Sequence, residues 1–130
     1  MKHFLLNQWL GIIWGLIILL LTGLPGTYFP TVTTFWDWAS PDKIVHLFIF
    51  GVFTFLVLYG NRTQYFGSKK RFTIVLAALT GIAYGGITEL LQYYLFVGRD
   101  GNIFDFLANV AGCFSGIGIF MLFFRKKVKN

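Results

Sequence analysis

Charge is scarce in this chain: Asp, Glu, Lys and Arg make up only 12% of its 130 residues, while 56% are hydrophobic. A soluble globule needs a much larger polar share to cover its surface, so that class is excluded and lipid must solvate most of the molecule. Cysteine is almost absent. The one thiol, Cys113, lies inside an apolar stretch, which rules out an intramolecular disulfide and a thiolate metal cluster and leaves a small packing residue. Internal repeats, low-complexity tracts and linkers are missing too, so residues 1–130 read as one domain. No A-x-A-like cleavage site occurs between Leu20 and Tyr28, so the apolar segment behind Lys2 reads as a retained span and not a signal peptide.

What is present is aromatic and basic. Aromatic residues reach 20%, with 16 Phe, and such rings face acyl tails as readily as a protein core. The net charge of +6 does not form a basic stripe with interleaved aromatics, so nucleic acid is excluded as a partner. Instead Lys and Arg gather at the ends of apolar segments. Four segments approach or exceed the ~20 residues that cross a bilayer core: Phe4 to Leu24, Ile44 to Tyr59, Phe72 to Val97, and Ile103 to Phe124. The second reaches that length only when Pro41, Asp42 and Lys43 are counted as its start. The fold class is therefore all-α, an integral membrane bundle of four transmembrane helices.

Cytoplasmic loops retain positive charge. Nine Lys and Arg residues fall on one side of the four spans and two, Lys43 and Arg99, on the other, which predicts cytoplasmic N and C termini. The long connection from Pro25 to Lys43 is then external. Its Tyr28, Phe29, Phe35, Trp36 and Trp38 suit the headgroup layer.

Some polar residues have a local explanation. Ser40 reads as an N-cap, with Pro41 at the first helical position and Asp42 beside the positive end of the helix dipole. Asn102 can cap the fourth segment, with Asp105 reaching back to the first amides. His46, Glu89, Gln92 and Asn109 lie inside their spans and have no such excuse. A charge at mid-membrane costs roughly 2.5–3.5 kcal/mol on insertion scales, and somewhat less near the interface, so Glu89 requires a partner or a function. At a rise of ~1.5 Å per residue, His46, Glu89 and Asn109 share one depth near the outer ends of three helices.

Helical spacing places these groups on stripes. Gly81, Gly85, Glu89 and Gln92 share one face of the third segment, and Asp105, Asn109, Gly112 and Gly116 share one face of the fourth. Small residues let transmembrane backbones approach, so these two antiparallel helices are expected to pack along Gly81 and Gly85 against Gly112 and Gly116. Their outer ends would oppose Glu89 and Gln92 to Asp105 and Asn109. Interhelical hydrogen bonding alone, worth ~0.6–2 kcal/mol per contact, is the plainer account of such a set.

At these residues the sequence resembles the VanZ-like family of bacterial membrane proteins. Asp42, Lys43 and His46 give its D-K-x-x-H opening, followed by an aromatic-rich stretch through Phe50. Glu89, Gln92, Arg99, Asp105, Asn109, Gly112 and Gly116 then follow its E-x-x-Q, R, D-x-x-x-N-x-x-G-x-x-x-G progression. The similarity covers about residues 40–124, and the first segment carries no recognised family signature. The resemblance implies a multi-pass protein of the bacterial plasma membrane, in a family whose founding member is associated with low-level teicoplanin resistance.

Three functional classes follow. The favoured one is a protein that binds or modulates a cell-envelope lipid or precursor through an outer pocket of Asp42, Lys43, His46, Glu89, Gln92, Arg99, Asp105 and Asn109. Lys43 and Arg99 would meet the phosphate of a glycolipid or prenyl phosphate, and the carboxylates and amides its sugar or peptide groups. The second is a membrane enzyme with His46 or Glu89 as general base, and Asp42, His46, Glu89 and Asp105 as possible ligands of a divalent ion. Only one histidine is external, and Ser115 and Cys113 lie too deep for His46 to serve, so the reading leans away from catalysis and expects no resident metal or cofactor. The third is a structural membrane subunit, in which the polar set is bundle glue. Four short spans with no inner polar set give no continuous transport path.

Overall fold

The computed structural model describes residues 2–24, 41–95 and 103–125. Within them the chain is helical apart from short turns: α1 (Lys2–Gly23), α2 (Pro41–Gly60), α3 (Arg62–Phe66), α4 (Lys70–Tyr94) and α5 (Ile103–Phe123). All but α3 are long and apolar enough to cross a membrane. A helix satisfies every interior backbone group within its own segment, which is why apolar runs of this length take that form in lipid. The second span does begin at Pro41, so Asp42 and Lys43 belong to its first turn. The third ends earlier than expected, at Tyr94. Ser40, Arg99, Asn102 and the aromatic residues of the long connection lie outside the described residues.

The short helix α3 carries no signal in hydropathy or charge. This five-residue helix forms because Tyr65 is buried, its ring 5.0 Å from Phe120 near the end of α5. Phe66 meets Phe124 edge to face at 5.9 Å, and Lys70 lies over the Tyr65 ring. Aromatic pairs of this geometry are worth ~0.5–1.5 kcal/mol each beyond burial, enough to order a short turn against an existing wall.

Close contacts between the helices fix their directions. Leu47 and Gly51 of α2 meet Gly112 and Gly116 of α5 in ascending order, so α2 and α5 run parallel. Gly81 faces Cys113 while Gly85 faces Asn109, so α4 runs against α5. Likewise α1 runs against α2. One rim of the bundle thus holds the starts of α2 and α5 and the ends of α1 and α4; the opposite rim holds Arg62, Lys69, Lys70, Arg71 and Arg125.

The α2–α5 pair is the most extensive contact. Its seam differs from the expected one. Gly112 and Gly116 press on the backbone of α2, not on α4: a Cβ at either would run into the carbonyl oxygen of Leu47 or Gly51. The small residues of α4 do face α5, but they receive side chains, Cys113 at Gly81 and Asn109 at Gly85. Behind this seam Phe50, Phe53, Leu58, Ala77, Cys113 and Phe120 form the buried core.

By contrast α1 leaves Leu5, Leu6, Leu16 and Leu20 more than half exposed to lipid. It is held by side chains that reach backbone carbonyls across helices. Trp14 Nε1 donates to Ile49 O at 2.8 Å, Gln8 Nε2 to Val57 O at 3.4 Å, and Tyr84 Oη to Gly15 O. Interhelical bonds in lipid contribute ~0.6–2 kcal/mol each. Combining Trp14→Phe with Tyr84→Phe is therefore expected to weaken α1 docking by about 1–3 kcal/mol. Thermal unfolding in detergent should show a lowered midpoint with unchanged starting helicity; an unaltered midpoint would refute these tethers.

Candidate functional site

The first turn of α2 carries Asp42 and Lys43, and His46 follows one turn deeper on the same face. Because α5 starts at the same rim, Asp105 and Asn109, also one turn apart, meet this face. Glu89 arrives from α4, close to that helix's end. The geometry is three helix ends contributing to one layer, as depth counting along the segments predicts.

Asn109, fully buried, lies at the centre. Its Nδ2 is 3.5 Å from the backbone oxygen of Gly85 and 3.4 Å from Glu89 Oε1, while its Oδ1 lies 2.8 Å from His46 Nδ1. A backbone carbonyl only accepts, so the amide must turn its NH2 toward Gly85 and its oxygen toward the imidazole. His46 Nδ1 is then the protonated nitrogen and donates to Asn109 Oδ1. Nδ1 thus carries a proton in either charge state of the ring, and Nε2 is the nitrogen on the Asp42 side.

Nε2 points back toward the rim. Asp42 Oδ2 is 3.7 Å from it, and the donor atoms of Asp42, His46 and Asp105 all lie within 4.8 Å of one another. Asp105 is buried, and its Oδ1 forms no hydrogen bond among the described residues. Lys43 Nζ stands 3.4 Å from that oxygen, beyond the ~2.7–2.9 Å of a short charge-assisted bond. Glu89 Oε1 is also 3.7 Å from His46 Nδ1. This arrangement can accept a proton at Nε2, neutralise a cation with two carboxylates, or present one ammonium to an anion.

The predicted residues thus divide. Asp42, Lys43, His46, Glu89, Asp105 and Asn109 come together. Gln92 is buried as well, but its Nε2 donates to Thr22 O on α1 at 3.2 Å, so it ties α4 to α1 and does not oppose α5. The step of three residues from Glu89 turns a side chain about 60° around a helix, enough to change neighbours. Arg99 lies outside the described residues. Sequence reasoning missed Leu47 and Gly51, whose exposed backbone makes the α2–α5 approach, and Thr22, whose carbonyl brings α1 into the polar layer. A glycine within the aromatic run of α2 was the available signal for the first.

No curated protein and no solved structure matches the chain. The family model described as VanZ/LLP1 matches residues 5–124. That match extends past the stretch from about residue 40 that carries the motif resemblance, and so takes in α1. With four apolar spans and a match over nearly its whole length, this multi-pass membrane protein belongs to the VanZ/LLP1 family.

Proposed function

We propose that the polar rim faces outward from the bacterial plasma membrane, with both termini in the cytoplasm, and binds the headgroup of a cell-envelope lipid or precursor. The observation that supports this most is the buried chain from Glu89 through Asn109 to His46, which continues to the rim at Asp42, Asp105 and Lys43. A layer that only glued helices together would not need to reach the rim with two carboxylates and an ammonium. Lys43 supplies the positive charge for a phosphate, and Arg99 is assigned the same task. The basic residues of the opposite rim support the orientation, since cytoplasmic ends retain positive charge. A role in teicoplanin resistance is the family's association and fits a protein engaging an envelope lipid.

Native mass spectrometry of protein purified in mild detergent is expected to show a co-purifying glycolipid or prenyl phosphate. Lys43→Ala combined with Arg99→Ala should remove it. Absence of any enriched lipid from the wild-type protein would overturn the reading.

A further inference from the structure

We propose that Asp42, His46 and Asp105 form a binding site for one divalent transition-metal cation, with His46 Nε2 and a carboxylate oxygen from each aspartate as ligands. The argument starts from the imidazole. Its Nδ1 is committed to Asn109, whose own orientation is set by the Gly85 carbonyl. Metal-binding histidines characteristically donate their second ring nitrogen in this way, which orients the ring and raises the basicity of the other. Nε2 belongs to a side chain only 3% exposed and lies 3.7 Å from Asp42 Oδ2, while the buried Asp105 Oδ1 has no hydrogen-bond partner among the described residues. One imidazole and two carboxylates converge here, with a ligand atom of each within 4.8 Å of the others. Such a cluster calls for positive charge between its members.

Lys43 provides part of that charge from one edge, 3.4 Å from Asp105 Oδ1. An ion held ~2.0–2.2 Å from each ligand needs donors about 3–4 Å apart. The 3.7 Å between Nε2 and Asp42 Oδ2 lies in that range, and the 4.8 Å bound on the set leaves only a small closure. One imidazole with two carboxylates suits Zn2+ or Mn2+ better than the all-oxygen preference of Ca2+ or Mg2+. Three protein ligands leave a coordination position open toward the rim.

The site stands independently of the lipid reading, because it is tested with metal alone. Full-length protein in detergent, stripped with chelator, is titrated with Zn2+ and separately with Mn2+, and bound metal is counted after dialysis. One ion per chain is expected. Asp42 has a side chain 39% exposed, so Asp42→Asn should leave the fold intact while weakening metal affinity at least tenfold. His46→Gln should do the same or more, and Lys43→Met should tighten binding by removing a competing cation. Mn2+ spectra should change on Asp42→Asn if the carboxylate is a ligand. Failure to bind either ion, or binding unchanged in a folded Asp42→Asn protein, would overturn the site.

Discussion

Gly112→Val and Gly116→Val are each expected to destabilise the bundle by more than about 3 kcal/mol, beyond the usual 1–3 kcal/mol of an overpacked core. The reason is what stands in the way. A new Cβ at either position meets a main-chain carbonyl of α2, at Leu47 or Gly51, and a backbone oxygen has no rotamer by which to retreat. The helices must separate along their whole seam. Helix association in lipid depends on close packing, since tails are as apolar as the side chains they replace, so lost contact is not repaid by burial elsewhere. Gly118 supplies the control. Nothing lies within 4 Å of a Cβ there, and Gly118→Ala should leave stability unchanged or slightly raised. Thermal unfolding of the three variants in one detergent makes the comparison; equal behaviour at positions 112 and 118 would disprove the seam.

The second large effect is expected at Asn109. Asn109→Leu preserves volume but strips the imidazole of its acceptor and takes a donor from Glu89 and from Gly85. Leaving buried polar groups unsatisfied costs about 1–3 kcal/mol each, more when they are charged, so a loss of roughly 2–4 kcal/mol is expected. A double-mutant cycle separates this from simple repacking. Adding His46→Phe to Asn109→Leu removes both ends of the bond, and the combined loss should be smaller than the sum of the single losses. Strict additivity would show that the two side chains are not coupled.

Much of the architecture was legible from apolar length and charge placement, because lipid leaves few alternatives for a run of twenty hydrophobic residues. The depth of the polar layer was legible for the same reason. Helical periodicity gave the correct faces as well: Asp105, Asn109, Gly112 and Gly116 do share one stripe, and Gly81, Gly85 and Glu89 another. What it did not give was the partner of each face. Gly112 and Gly116 chose α2, a choice made by Gly51 and the bare backbone beside Leu47, which no stripe on α5 encodes. Gln92 turned to α1 because a carbonyl at Thr22 was available, and backbone acceptors leave no trace in a sequence. The small helix α3 escaped notice because its order comes from Phe120 and Phe124, more than fifty residues away. Propensity over five residues carries no such information.

The parallel contact of α2 with α5 has a consequence for how the protein is made. Its two members are separated in the chain by α3 and all of α4, with 42 residues between the end of α2 and the first residue of α5. At usual synthesis rates that interval is about 2–8 s. During it Asp42 and His46 have neither Asp105 nor Asn109 beside them, and Gly51 has no Gly116 to meet. The polar layer is therefore completed only once α5 has been made, and a chain truncated before α5 is a natural target for membrane quality control.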